Sequence, residues 1–256
     1  MKRKTGTREW AESNYNIGVG CSHNCLYCYA RTNALKFKWV DSTESWIDEK
    51  LKDKMPPTTK KKGIVMFPTA HDITPFYLDS SLKSLKALLS NGNKVLIVSK
   101  PHMVCVEAMC KELLPWKNNI LFRFTIGTND ETRAKFWEPG APSIIERFYC
   151  LRYAYDKGFA TSVSMEPILG TVEETFDMFK VMEPFVTDTI WVGKMNRIDT
   201  RVKKSSVMIE AACKEVAEMQ NDKNIMWLVK TLKGNPKVSW KDSIKEVIER
   251  NGIKNE

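Results

Sequence analysis

Several protein classes are excluded by what this chain has little of. No apolar run approaches the roughly 18 residues needed to cross a bilayer, and the opening Met-Lys-Arg-Lys-Thr-Gly-Thr-Arg lacks the apolar centre of a secretory signal. A cytoplasmic protein with no membrane partner is the expectation. Seven cysteines in 256 residues are too few for a disulfide framework. With only 12 Gly and 11 Pro there is no low-complexity tract, and 43% hydrophobic with 28% charged residues is the balance of a packed globular chain. Acidic residues are outnumbered, 31 against 40 Lys and Arg, which leaves a net charge of +9. That excess favours a polyanionic partner such as nucleic acid or a nucleotide, or simply a solvated basic surface.

Short β-rich runs alternate with helical patterns through most of the chain. The strands are expected at Tyr15 to Gly20, Gly63 to Thr69, Lys94 to Ser99, Ile120 to Ile126, Thr161 to Met165 and Thr189 to Gly193. Between them lie helices within Leu26 to Phe37 and at Asp79 to Leu89, Met103 to Leu114, Ser143 to Lys157, Val172 to Met182 and Ser205 to Gln220. Ser143 followed by Glu146 reads as a capping box, and Gly158 marks the end of that helix. Six β-α units with short crossovers predict an α/β fold, a partial (β/α)6 TIM-like barrel. The domain plan is a basic N-terminal segment over 1–14, the barrel over 15–223, and a strand/helix extension over 224–256. That extension holds an apolar run from Ile225 to Val229 and a last helix from Trp240 to Arg250. The lysine-rich stretch from Lys50 to Lys62 reads as a surface loop.

Three of the seven cysteines crowd into eight positions. Cys21, Cys25 and Cys28 have the spacing Cys-x3-Cys-x2-Cys, directly after a strand and before a helix, so a compact loop can turn all three towards one point. Thiolates of this kind hold iron-sulfur clusters, and a cubane with three protein ligands keeps one iron open. Structural zinc normally takes a fourth Cys or His from a second knuckle, and none is recognisable here; His23 lies within the loop but is awkwardly placed between ligands.

This motif, with Tyr27 just before the last Cys, resembles the signature of the radical S-adenosylmethionine (AdoMet) superfamily. The resemblance implies a [4Fe-4S] cluster on Cys21, Cys25 and Cys28, AdoMet chelated to its open iron, cleavage to a 5′-deoxyadenosyl radical, and Tyr27 against the adenine. The segments Thr69 to Pro75, Val98-Ser99-Lys100, Glu138 to Pro142 with Arg147, and Met165 to Leu169 follow the order of the spore photoproduct lyase-like, or DNA repair photolyase-like, branch across roughly residues 15–200. This chain lacks the Gly-Gly-Glu segment that many superfamily members carry after the second strand; Asp72 stands there, either as an acceptor for an ammonium group or as a turn cap.

Other candidates for the cofactor site end the later strands. Ser99 and Lys100 close the most apolar one, where Lys100 would meet a carboxylate or phosphate. Glu166 would hold ribose hydroxyls, or pair with Lys100 or Arg123; Lys194 and Asn196 follow the sixth strand. Glu138 and Arg147 read as a structural pair anchoring a long loop. Photoproduct lyases use a cysteine as hydrogen donor, whereas Cys105, Cys110, Cys150 and Cys213 fall in helices here, so no donor is placed. The expected activity is radical AdoMet chemistry on a nucleic acid or nucleotide, fed by an external one-electron reductant of the flavodoxin or ferredoxin type. Radical modification of a peptide or small metabolite, and a noncatalytic iron-sulfur or zinc protein that binds nucleic acid, are the alternatives.

Overall fold

The computed structural model describes residues 5–53 and 56–252. Residues 1–4 of the basic N-terminal segment, Lys54 and Met55 of the lysine-rich stretch, and residues 253–256 lie outside the described residues.

The first elements are strand β1 (Ser13–Asn14), strand β2 (Gly18–Val19), helix α1 (Tyr29–Lys36) and strand β3 (Lys50–Leu51). Then β4 (Ile64–Phe67), α2 (Leu78–Ser90), β5 (Lys94–Ser99), α3 (Met103–Glu112) and β6 (Ile120–Thr125) alternate. After β6 come α4 (Glu131–Trp137) and α5 (Ile144–Asp156), followed by β7 (Ala160–Met165), α6 (Val172–Met182) and β8 (Ile190–Val192). The chain ends with α7 (Ile198–Arg201), α8 (Val207–Met219), α9 (Asp222–Thr231), β9 (Val238–Trp240) and α10 (Asp242–Arg250).

One parallel sheet of seven strands runs β1-β4-β5-β6-β7-β8-β9, so spatial order follows chain order. That order is what successive right-handed β-α crossovers produce when every helix packs on the same side. The α/β partial barrel expected from the sequence is therefore present. Alternation along β6 shows the two faces. Phe122 and Phe124 join the large core under the helices, while Arg123 and Thr125 point the other way, into the barrel. The interior is closed by the N-terminal segment: Trp10 and Ala11 pack on Met66, Leu96, Val98 and Leu121.

Three elements differ from the sequence reading. The expected first strand, Tyr15 to Gly20, is split. Its place in the sheet is taken by Ser13–Asn14, while Gly18–Val19 leaves to pair antiparallel with Lys50–Leu51. Side chains replace the ladder across the break: Asn16 Oδ1 accepts from the N–H groups of Thr69 and Ala70, and His71 Nε2 accepts from Ile17 N–H. Next, the apolar run Ile225 to Val229 belongs to a helix, α9, capped by Asn221, because Ile225, Leu228 and Leu232 recur at helical spacing and are buried. Finally, Val238–Trp240 adds a seventh strand to the six expected, pairing in parallel with β8. Three residues are too short a run to read as a strand from sequence; the unpaired edge of β8 makes it one.

Helix starts were legible in part. Ser143 Oγ accepts from Glu146 N–H, but the Glu146 carboxylate accepts from Met103 N–H, so the expected box at α5 is half formed. The complete box is at α6, between Thr171 and Glu174. Among the described residues no helix is long and apolar enough to cross a membrane. Thr171→Ala is expected to destabilise the chain by about 1 kcal/mol, with a lowered urea midpoint and unchanged m-value.

Candidate functional site

The cysteine loop is shaped by contacts that leave little freedom. Gly20 has φ +94°, and a Cβ there would lie 2.3 Å from the Asp48 carbonyl oxygen, so only glycine lets β2 turn into Cys21 against its neighbour. Cys21 N–H donates to Trp46 O at 2.9 Å, Leu26 N–H to Trp137 O at 2.8 Å, and Gly140 N–H to His23 O at 3.0 Å. Gly140 in turn has no room for a side chain, since a Cβ would sit 2.1 Å from Ser22 O. From inside the loop, the Arg31 guanidinium donates to Asn24 Oδ1 and Leu26 O, both at 2.9 Å. Cys28 is the N-cap of α1, its sulfur accepting from Arg31 N–H at 3.4 Å. A helix start favours negative charge on that sulfur.

All three sulfurs belong to free cysteines that border one cavity of about 490 Å³ at the C-terminal ends of the strands. Burial pushes the Cys25 thiol up to about 12, with the Lys100 ammonium working against it; Cys21 and Cys28 are raised by burial as well. Such thiols stay protonated unless a metal takes the place of the proton. Three cysteines without a disulfide on one cavity wall are a donor set that suits a metal cluster.

The residues expected beside them fall into two hydrogen-bonded centres. Asp72 Oδ1 accepts from Lys100 N–H at 2.7 Å and from Ser99 Oγ–H at 2.9 Å, and Asp72 Oδ2 lies 3.0 Å from His23 Nδ1. Burial opposes ionisation of Asp72, but Lys100 and His23 more than offset it and hold the carboxyl well below its usual range. A carboxylate accepts, so His23 Nδ1 carries the proton there. His23 Nε2 meets His102 Nε2 at 2.8 Å, which leaves neither ring nitrogen of His23 open as a metal ligand, although Cys21, His23 and Asp72 donor atoms lie within 4.8 Å of one another. His71 Nδ1 donates to Asp72 O at 2.8 Å. Thus His23 and His71 bond Asp72 directly and His102 reaches it only through His23, and Ser99 faces Asp72 and Ile73 N–H rather than the cavity.

The second centre is Glu138. It pairs with Arg147 at 2.5 Å, both side chains 1% exposed, and with Lys100 at 3.9 Å, and it accepts from the Tyr27 hydroxyl. The structural Glu138–Arg147 pair read from sequence is present. Tyr27 lies under Lys100, whose Nζ is 5.6 Å from the ring centroid. Burial would lower the Lys100 ammonium, but the Asp72 and Glu138 carboxylates keep it charged.

Glu166 borders the cavity, yet its partner is neither Lys100 nor Arg123. Lys241 lies 3.6 Å away and also meets Glu9 at 2.5 Å, with Trp10 under its ammonium at 4.2 Å. Gly193 makes the approach possible, since a Cβ would be about as close as 2.9 Å to Lys241 Cγ and 3.0 Å to Glu166 Cγ. Arg123 instead bonds Ser162 and is sandwiched by Trp10 and Trp191. Lys194 and Asn196 also border the cavity. Burial lowers the Lys194 ammonium, with the Asp222 charge opposing that shift. Sequence reasoning missed Tyr29, Arg201, Glu9 and Lys241, all on the cavity wall. Tyr29 had a signal, standing immediately after Cys28; Glu9 and Lys241 had none, being 232 positions apart by their numbers. None of Cys105, Cys110, Cys150 and Cys213 lines the cavity.

Glu138→Gln leaves Arg147 buried beside a neutral partner, and an uncompensated buried charge costs about 3–5 kcal/mol, read as a lower denaturation midpoint. Burial raises the Glu138 carboxyl and Arg147, Lys100 and Tyr27 lower it further, for a net shift downward. Its contribution is therefore full above the ordinary carboxylate value and is lost as pH falls through the depressed folded value. The acid limb of a stability–pH curve should flatten in Glu138→Gln.

No protein-family model matches the chain. An uncharacterized protein of Acidianus two-tailed virus is 27% identical over 192 residues, 70% of this chain and 63% of that protein. An uncharacterized protein of Methanocaldococcus jannaschii is 24% identical over 177 residues, 66% of this chain and 65% of that protein. The matches span a little under two thirds of each of these relatives. Among solved structures, a spore photoproduct lyase variant with bound AdoMet and dinucleoside spore photoproduct aligns over 94% of this chain and 74% of that one, at 15% identity and a TM-score of 0.53. The partial barrel that presents Cys21, Cys25 and Cys28 thus has the fold of that spore photoproduct lyase.

Proposed function

We propose that this protein is a radical AdoMet enzyme in which Cys21, Cys25 and Cys28 hold a [4Fe-4S] cluster, acting on a nucleic acid or nucleotide. The observation that carries this reading is the meeting of three reduced cysteines with a charged lysine on one cavity wall, at the strand ends where such barrels do chemistry. When bound, the cluster would hold AdoMet through its open iron and supply the electron that cleaves it to a 5′-deoxyadenosyl radical.

The protein's own groups bind and orient. Lys100 offers an ammonium to the methionyl carboxylate, and its own backbone is fixed by Asp72. Glu166 accepts from ribose hydroxyls, Asn196 offers an amide at the cavity mouth, and Tyr27 contributes its ring edge. Ser99 and Asp72 act on position, by holding the end of β5 against the cysteine loop. The electron comes from an external flavodoxin- or ferredoxin-type donor, and the seven free thiols suit a reducing cytoplasm. The nucleic acid reading is supported by the +9 charge and by the dinucleoside held in the lyase structure of the same fold.

Anaerobic reconstitution tests the proposal: about four irons and four sulfides per chain, with brown absorbance, and 5′-deoxyadenosine formed on adding dithionite and AdoMet. Cys25→Ala should lose both signals. Tight zinc without AdoMet cleavage would overturn the assignment and favour a noncatalytic metalloprotein. Lys100→Met should raise the KM for AdoMet about tenfold, the equivalent of one charged contact of about 1.4 kcal/mol.

A further inference from the structure

We infer that Arg201, on the wall of the cavity, forms a phosphate-binding subsite, and that the substrate is held there by its phosphodiester backbone. This rests on the proposed function and names how its substrate is recognised.

The argument begins with the loop after β8. Arg197 has φ +56°, a left-handed conformation that a non-glycine side chain rarely adopts, and Arg201 N–H donates to Arg197 O at 3.0 Å. Arg197 thus caps the short turn Ile198–Arg201 from a left-handed backbone, and its charge acts on Arg201. The two like charges repel each other. Nothing in the loop relieves the repulsion, because its acid, Asp199, lies 2.7 Å from Lys204. The turn is anchored rather than loose: Val202 is buried and Ile198 half-buried against Met195, Trp137 and Leu169.

Compensation elsewhere on the cavity wall sharpens the contrast. Lys100 has Glu138 at 3.9 Å, and Lys241 has Glu9 at 2.5 Å and Glu166 at 3.6 Å. Among the described residues neither Arg197 nor Arg201 has an ion-pair partner, although Arg201 is half-buried and lines the cavity. Burial, followed by the Arg197 charge, lowers the Arg201 guanidinium, and the Glu166 charge offsets them only in part. A planar guanidinium matches phosphate oxygens in a two-pronged contact. Beside it Tyr29, 38% exposed, has the Arg201 guanidinium carbon over its ring at 5.8 Å from the centroid, so the aromatic face holds the cation at the cavity wall. A phosphate is the anion this guanidinium fits.

The test uses reconstituted protein and three probes: a labelled single-stranded oligodeoxynucleotide, thymidine 5′-monophosphate, and thymidine. Arg201→Gln should weaken oligonucleotide binding about tenfold, as loss of one charged contact does, and reduce the slope of log affinity against log salt by about 1. Arg201→Lys should restore part of the loss. Lys204→Gln removes the same charge from the same loop and should have a much smaller effect. A loss confined to the oligonucleotide assigns the subsite to the strand backbone, whereas an equal loss for the mononucleotide overturns that source. Unchanged binding in Arg201→Gln, an equal loss in Lys204→Gln, or an equal loss of AdoMet binding overturns the subsite. Binding needs no turnover, so a chain that fails to cleave AdoMet would defeat the proposed function without deciding this result.

Discussion

A carboxylate with 1% of its side chain exposed is the constraint around which this site is built. Glu138 follows α4, and in the interior its charge survives only because three separate elements bring it partners: Arg147 from α5, Lys100 from the end of β5, and Tyr27 from the cysteine loop. Each partner is itself unable to stay buried alone. The result is mutual dependence between a helix, a strand end and the metal-binding loop. Gly140, two residues further on, clamps the same loop through His23 O. Burying one acid thereby fixes where Cys25 and Cys28 stand relative to Lys100.

Asp72 performs the matching task on the other side of the loop. Its oxygens accept from Ser99, Lys100 and His23, while its carbonyl accepts from His71. These bonds satisfy groups that a parallel sheet leaves open where its strands stop. The chemistry of the wall follows from that need: strand-end polar groups are paired among themselves first, and what remains unpaired faces the cavity. Lys100 gives its backbone N–H to Asp72, while its ammonium pairs with Glu138 and also borders the cavity.

How much of this was legible depended on sequence distance. The β-α rhythm and the cysteine spacing are local patterns, and both survive in the structure. Ser143 was read correctly as a cap, yet Glu146 turned to Met103 because α3 packs against α5. The complete box at Thr171 has the same local form as the one expected at Ser143, which shows that a capping pattern states a capacity and packing decides its use. Glu166 was read as a holder of ribose hydroxyls or, failing that, as a partner of Lys100 or Arg123. It meets Lys241, because the seventh strand brings the C-terminal segment beside β8 and glycine at position 193 lets it close.

The sequence by itself determined the barrel class, the three cysteines that share a loop, and the Glu138–Arg147 pair, since each rests on short-range periodicity, spacing or an obligatory charge balance. Tertiary structure alone decided which charges would be neutralised. Lys241 and Glu9 come from opposite ends of the chain, and Arg201 borders the cavity with no ion pair among the described residues. The reason is physical: Coulomb and hydrogen-bond energies depend on separation in space and on burial, and neither is encoded in separation along the chain.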